Sequence, residues 1–242
     1  QAAAWREPVL RLAAPATLSR LVQTLLRSLT AILIPIRLQA SGLPAAEATA
    51  RLGMLNGMVM PLLMLPCVFT SALSMVALPR IAKAEDDPRE LKRLILTCLG
   101  SCLPVALGCT ALVYLSAPVL ANTVYRMAEL TALFRAGAPL TALFAVSHLI
   151  GAVTTALGQQ KRSMYGAVAV SGATLAMTCL LAAMPGLRLY GVIAAQAVGQ
   201  VLILLWNVGI LALWRKARRS FRHKGRHLRL QWRHRKRQKR ER

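Results

Sequence analysis

The sequence predicts an all-α protein that crosses a membrane six times. The first observation is its composition, because 56% of the 242 residues are hydrophobic and the mean hydropathy is +0.49, which exceeds that of ordinary soluble domains. The second is that six apolar segments, each close to the length needed to cross a bilayer core, separate clearly along the chain. The third is that Lys and Arg are concentrated in alternate connections. The sequence lacks the alternation of β-branched residues that is typical of a membrane barrel.

The connections between the predicted spans contain turn-forming residues. Gly42 and Pro44 follow the first span, Pro88 follows the second, and Gly186 follows the fifth. The expected organisation is a cytoplasmic lead-in at residues 1–11, a six-helix transmembrane lobe at 12–214, and a polybasic cytoplasmic tail at 215–242. The predicted spans are residues 12–36, 53–78, 94–120, 136–157, 164–184 and 190–214, with Pro104 interrupting the third, Pro139 near the start of the fourth, and Leu78–Pro79 ending the second.

The second span is the segment around which the rest of the chain is organised. It has no charged residue before Arg80, and it contains Pro61 and Pro66. Proline removes a backbone donor and kinks a helix, and in lipid the freed carbonyls must be satisfied by neighbouring helices or a cavity. The pattern predicts a bent transmembrane helix. We expect Pro61 and Pro66 to form the bending element that gates a cavity.

The distribution of basic residues predicts the orientation of the chain. Basic residues are denser before the first span, after the second, after the fourth and after the sixth. Because cytoplasmic connections carry an excess of Lys and Arg, both ends are expected in the cytoplasm, with the chain in the cell (inner) membrane. The denser set is Arg6, Arg11, Arg80, Lys83, Arg89, Lys92, Arg93, Lys161, Arg162 and the tail; the sparser set is Arg37, Arg51, Arg126, Arg135 and Arg188.

The C-terminal tail carries most of the net charge of +23. Residues 215–242 hold 15 of the 31 Lys and Arg residues and one of the 8 acids, which leaves 16 basic and 7 acidic residues, or +9, for the remainder. A polybasic segment directly after a membrane helix is attracted to anionic headgroups. The predicted partner of the tail is anionic membrane lipid. Nucleic acid, whose phosphates such arms also neutralise, is the less favoured partner, and a solvated, disordered end is the simplest alternative.

Two arginines in the first span are the main candidates for a substrate site. Arg20 and Arg27 are seven residues apart, so they share a helix face, and Gln23 lies near that side. Intramembrane arginines are costly and normally face a cavity, a partner or an anion, and a guanidinium suits phosphate and pyrophosphate. The alternatives are snorkelling to the interface or pairing with a carboxylate. None of the six predicted spans contains an acid, so such a partner is expected elsewhere in the protein.

Other polar side chains within the spans are candidates for contacts to substrate. Gln196 and Gln200 share one face of the sixth span with Asn207, and Asn56 lies in the second span. Hydrogen bonding between helices is the alternative role for the residues of the sixth span, and His148 in the fourth is expected to be a satisfied core group.

The sequence gives little support to an enzyme, a metal site or a bound cofactor. It contains no clustered Ser, His and acid, no paired carboxylates on a helix and no phosphate-binding loop of the G-x-x-x-x-G-K-[ST] type. The five cysteines form no C-x-x-C motif, and they are expected to pack as small apolar side chains. These are Cys67, Cys98, Cys102, Cys109 and Cys179.

Several segments, in order along the chain, resemble the oligosaccharide and lipid flippases of the MOP superfamily. The similarity is to the polysaccharide biosynthesis and stage V sporulation protein B branch, and it covers about residues 10–212. The glycine pattern of the turn at residues 154–160 departs from that of the branch. The segments are residues 53–63 (GMLNGMVMPLL) and 77–84 (ALPRIAKA), which resemble the eighth helix and its exit; 12–20 (LAAPATLSR) and 34–42 (IPIRLQASG), which flank the seventh; 154–160 (TTALGQQ); and 190–197, which begin the twelfth.

The resemblance implies a two-lobe transporter of which this chain is the C-terminal lobe. It implies movement of a lipid-linked oligosaccharide or peptidoglycan precursor by alternating access, with an N-terminal lobe that this sequence does not contain. Two alternatives stay open. The first is a multidrug or cation exporter of the same superfamily, which predicts acidic residues in the spans. The second is a non-transporting membrane scaffold whose basic tail recruits lipid.

Overall fold

The chain folds into helices joined by short turns, and six of these helices are long and apolar enough to cross a membrane. A computed structural model describes the backbone of residues 2–184 and 186–238, and the side chains of residues 17–85, 87–184 and 186–218. Within those ranges there is no β-strand. The all-α, multi-pass membrane architecture expected from the composition is therefore confirmed.

The helices succeed one another with few intervening residues. Between α2 and α3 the chain makes a π-helical turn at Leu55–Val59, a second π-helical turn at Leu120–Val124 follows α5, and a 3-10 turn at Ala84–Asp86 follows α4. The helices are α1 (Ala2–Ala40), α2 (Ala45–Met54), α3 (Met60–Leu63), α4 (Leu65–Lys83), α5 (Pro88–Val119), α6 (Leu130–Ala156), α7 (Gln160–Ala182) and α8 (Arg188–Gln238).

The long first and last helices run through the boundaries drawn from the sequence. Helix α1 includes most of the lead-in at residues 1–11, and α8 continues past residue 214 as far as Gln238. The side chains of the lead-in, and those of the tail beyond residue 218, lie outside the described residues. The predicted contact of the tail with anionic lipids falls almost wholly on those side chains.

The boundaries predicted for the second span are wrong, although its interruption at the prolines is observed. The spanning helix α4 begins only at Leu65, and the preceding residues form α2, the π-helical turn and α3. The backbone turns at Met64, which has φ −89° and ψ −3°, between Pro61 and Pro66. Each proline lacks an N–H to donate to the preceding turn, so two prolines five residues apart divide the segment.

Three other prolines lie inside helices, although the sequence suggested that Pro79 ends the second span, that Pro104 interrupts the third and that the fourth starts near Pro139. Pro79 lies inside α4, Pro104 inside α5 and Pro139 inside α6. A single proline removes one hydrogen bond and kinks a helix, and neighbouring helices in a bundle allow the helix to continue. Helix α5 also begins earlier than predicted, because the Asp87 side chain accepts hydrogen bonds from the Arg89 and Glu90 amides and caps its N-terminus.

Helix α6 is the central element of the bundle. It packs against α4, α5 and α8, whereas α7 pairs with α8, and α1 packs on α7 and α2. Fully buried side chains line α6, including Leu130, Phe134 and Leu149. Small residues let α7 and α8 approach closely: a Cβ placed on Gly191 would lie 2.7 Å from the carbonyl oxygen of Leu181. The core therefore lies around α6, and α1 lies at the edge of the molecule.

Candidate functional site

Helix α1 presents three different sides to its surroundings. Ser19 and Ile34 are buried on the side that packs against the bundle. At about 100° of rotation per residue, Arg20 and Arg27 lie within roughly 20° of each other, beside that packed side, and both are exposed. Large exposed apolar side chains occupy the side farthest from the arginines. These are Leu18, Leu21, Leu25, Leu29, Ile32 and Ile36.

The arginine side of α1 makes few polar contacts within the part of the chain that the structure describes. Neither the Arg20 nor the Arg27 guanidinium hydrogen bonds or ion-pairs with any described residue. Gln23 is half-buried, and its Nε2 donates to Ser19 Oγ one turn away at 3.4 Å. Thr24 Oγ1 donates back to the Arg20 carbonyl at 2.9 Å. The two guanidinium groups are thus left available to a ligand or to another surface.

The remaining predicted contact residues lie on separate elements. Asn56 is exposed on the π-helical turn before α3, and Gln196 and Gln200 are half-buried on α8. No hydrogen bond between described side chains joins any of these three to another, or to Arg20 and Arg27. The six predicted contact residues (Arg20, Gln23, Arg27, Asn56, Gln196 and Gln200) therefore do not form one closed pocket within the described part of this chain. A site that used all of them would have to be completed by another surface.

Two other polar residues singled out in the spans bond within the bundle. Asn207 is 3% exposed; it accepts from Ser163 Oγ at 2.7 Å, and its Nδ2 donates to the Ile203 carbonyl at 3.0 Å. This contact joins α7 to α8, as hydrogen bonding between helices requires. His148 is exposed, but its Nδ1 shares a hydrogen bond of 3.2 Å with Thr70 Oγ1, which joins α6 to α4.

The proposed bending element lies between α3 and α4. Pro61 is exposed and Pro66 is buried, and the turn at Met64 separates them. The π-helical turn lies directly upstream, where the Met60 N–H donates to the Leu55 carbonyl. Such turns are frequent at functional sites, and this one also carries Asn56.

One end of the bundle contains a cavity that no sequence pattern indicated. Its volume is about 430 Å³, and none of the six predicted contact residues lines it. Its charged lining residues are Arg51 of α2, Glu129 just before α6, and Arg188 at the start of α8. The sequence offered only a weak signal, namely isolated charges in connections poor in basic residues. The other lining residues are Met54, Ala132, Leu133, Gly186, Leu187, Leu189 and Tyr190.

The opposite end of the bundle is fastened by an arginine on α8. Arg218 Nη2 lies 2.7 Å from Glu85 Oε1, and Nη1 donates to the Glu85 carbonyl oxygen. The Arg218 guanidinium also lies 5.0 Å from the ring centroid of Trp214. This contact places the α4–α5 turn beside the inner part of the tail, at the end away from the cavity.

Different connections between helices meet at the two ends of the bundle. The cavity brings together the α1–α2, α5–α6 and α7–α8 regions, and Arg218 meets the α4–α5 turn.

No protein-family model, curated protein or solved structure matches this chain.

Proposed function

We propose that this chain is one lobe of a transporter that moves an anionic lipid-linked saccharide across the cell membrane by alternating access. The substrate would be a lipid-linked oligosaccharide or a peptidoglycan precursor. The observation that supports the proposal is the exposed pair Arg20 and Arg27 on a helix of membrane-spanning length, with no described partner for either guanidinium.

The position of the arginines around α1 favours a polar environment over lipid. They lie between the packed side of the helix and its exposed apolar side, roughly 150° away from the centre of the latter. A charged side chain facing hydrocarbon would be costly, and such residues usually face a cavity, a partner or an ion pathway. We therefore assign the arginine side to the wall of a substrate cavity and the apolar side to lipid.

The chemistry of guanidinium favours a substrate that carries an oxyanion. Arginine presents a planar fork of donors that matches phosphate oxygens in pairs. Two such groups one heptad apart, about 10.5 Å along the helix axis, suit a pyrophosphate and the first sugar attached to it. Gln23, Asn56, Gln196 and Gln200 would supply neutral hydrogen bonds to the substrate.

A second lobe would complete the cavity. Helix α1 packs only on α7 and α2 among the helices with extensive contacts, so its arginine side is free to face another lobe. Transporters built from two six-helix halves hold the substrate between the halves. In this proposal both ends of the chain lie in the cytoplasm, where the basic tail contacts anionic lipid.

The divided segment between α2 and α4 would supply the movement. Pro61 and Pro66 each remove one backbone donor on either side of the turn at Met64, so bending is expected there. A hinge of this kind lets one half of a helix tilt while the other stays packed. Leu63, which is fully buried, anchors the hinge against the core.

The test is to measure binding and transport after removing the guanidinium groups. The complete two-lobe protein in detergent would be titrated with a short-chain pyrophosphate-linked saccharide lipid, and transport would be followed in vesicles containing the same protein. We expect Arg20→Ala and Arg27→Ala each to weaken binding about tenfold, because each removes one charge-assisted contact. Transport should fall in parallel.

Arg37→Ala is the matched control, because Arg37 is also an exposed arginine of α1 but lies in its last turn. It should leave binding and transport unchanged. Normal binding and transport in both Arg20→Ala and Arg27→Ala would overturn the proposal. If deletion of residues 219–242 then abolished function while both arginines were replaceable, a membrane scaffold with a lipid-binding tail would be the better description.

A further inference from the structure

The cavity at the end of the bundle opposite Arg218 has a volume that suits a small ligand, and two arginines line it. At about 430 Å³ it falls within the range of cavities that hold small ligands. Two of its lining residues are arginines and one is a glutamate, Glu129. Arg51 is partly neutralised by Glu47, whose Oε1 lies 2.6 Å from Arg51 Nη2.

Arg188 is the residue that points most directly to a ligand. Its Nε is buried and has no hydrogen-bond partner among the described residues. No ion pair among the described residues neutralises the Arg188 guanidinium, so an anion that enters the cavity it lines would supply the missing opposite charge. Its φ of +44° lies in the left-handed region, which is unusual for arginine and is found at functional sites more often than elsewhere.

Glu129 does not supply that missing acceptor. No ion pair joins it to Arg51 or to Arg188 in the described part of the chain. The cavity therefore keeps its acid apart from its two arginines. The space beside the arginines is then open to an anion, and the carboxylate lowers the positive potential that attracts it.

We propose that this cavity binds a phosphate group, with Arg188 as the principal donor and Arg51 as the second. The phosphate would be either a free ion or part of a lipid headgroup, because the apolar lining residues Leu187 and Tyr190 suit contact with a lipid. This site shares no residue with the proposed saccharide site and lies outside it, so each proposal can fail without the other.

The experiment is calorimetric titration of the purified full chain, in detergent, with inorganic phosphate. Saturable binding is expected for the wild type. Arg188→Gln should weaken it about tenfold or more, and Arg51→Gln should weaken it several-fold, since each loses a charge-assisted contact. Glu129→Gln should tighten binding about threefold, because it removes a repelling charge. If these residues had only a structural role, Glu129→Gln would not be expected to tighten phosphate binding.

Arg126→Gln is the matched control for Arg188→Gln. Arg126 also has a positive φ of +54°, precedes α6 and does not line the cavity, so binding should be unchanged. Circular dichroism and gel filtration would establish that each variant folds, and if Arg188→Gln does not, Arg51→Gln and Glu129→Gln still decide the question.

A second titration, with dihexanoylphosphatidylglycerol below its micelle concentration, separates the two sources of phosphate. Binding of the lipid that responds to the same substitutions, without binding of inorganic phosphate, identifies a headgroup site. Binding of inorganic phosphate without binding of the lipid identifies a site for the free ion. Binding of both ligands supports a site that recognises the phosphate group from either source. The proposal is overturned if neither ligand binds saturably, or if Arg126→Gln weakens binding as much as Arg188→Gln does.

Discussion

Helices α6 and α1 are both long and apolar, but they differ in how much of each lies inside the molecule. About 56% of the most apolar stretch of α6 is buried, compared with 11% for α1. Helix α6 packs on α4, α5 and α8, whereas α1 packs on α7 and α2. Two helices of similar apolar composition thus take different positions, because α6 forms the core and α1 forms part of the outer surface.

The polar residues of the two helices differ in the same way. On α6, Ser147 Oγ donates to the Gln200 carbonyl at 3.3 Å, Thr154 Oγ1 donates to the Ile150 carbonyl at 2.8 Å, and His148 bonds to Thr70. On α1, Arg20 and Arg27 have no such described partner. The difference teaches that these three polar groups of α6 bond within the fold, whereas the two arginines of the first predicted span are left for something outside it.

The largest expected difference between the two helices is in stability. Phe134 on α6 is 0% exposed and Leu25 on α1 is 62% exposed. Phe134→Ala should lower the free energy of unfolding by about 3 kcal/mol, because it removes close packing and leaves a cavity. Leu25→Ala should change it by less than about 0.5 kcal/mol. Unfolding in lipid bicelles titrated with denaturing detergent measures both, and equal losses would remove the distinction between core and surface.

Much of the fold could be predicted because membrane helices are specified by local composition. Six apolar runs predicted in the sequence correspond to six helices of the described chain that are long and apolar enough to cross a membrane, since about 20 apolar residues are enough to cross a bilayer. The effect of each proline could not be predicted in the same way. Pro79 and Pro104 continue their helices while Pro61 and Pro66 lie beside a break, and that outcome depends on which neighbours satisfy the freed carbonyls.

The candidate sites were predictable only where their residues are close in sequence. Arg20 and Arg27 are one heptad apart on a single helix, so periodicity alone places them together. Arg51, Glu129 and Arg188 meet because three separate connections converge at one end of the bundle. No local pattern carries that information, and in the sequence Arg51 and Arg188 served only to indicate orientation.

Thr141 on α6 differs from Ser147, His148 and Thr154 of the same helix, because its hydroxyl is not satisfied within the described part of the chain. Its Oγ1 is buried with no hydrogen-bond partner among the described residues. Thr141→Val should therefore raise the free energy of unfolding by about 1 kcal/mol, because it removes an unsatisfied hydroxyl with little change of shape. The same denaturation experiment measures the gain.

Thr154→Val is the control for that substitution, since the Thr154 hydroxyl is bonded to the Ile150 carbonyl at 2.8 Å. It should give a small loss rather than a gain. If Thr141→Val instead left stability unchanged and reduced transport, Thr141 would belong with the arginines of α1 as a group whose partner lies outside this chain. The comparison would then include a third class, namely a buried polar residue of α6 whose partner lies outside this chain.

The smallest expected effect concerns hydrogen bonds between helices and within a helix. Thr70 and His148 join α4 to α6 at 3.2 Å, whereas Gln23 and Ser19 are one turn apart on α1 at 3.4 Å. A double-mutant cycle with Thr70→Ala and His148→Ala should give a coupling energy of about 0.6 kcal/mol, the average for such bonds in membranes. The cycle with Gln23→Ala and Ser19→Ala should give a coupling near zero. A larger coupling on α1 than between α4 and α6 would mean that α1 is held by its own polar contacts, and it would weaken the case that its polar side is reserved for a ligand.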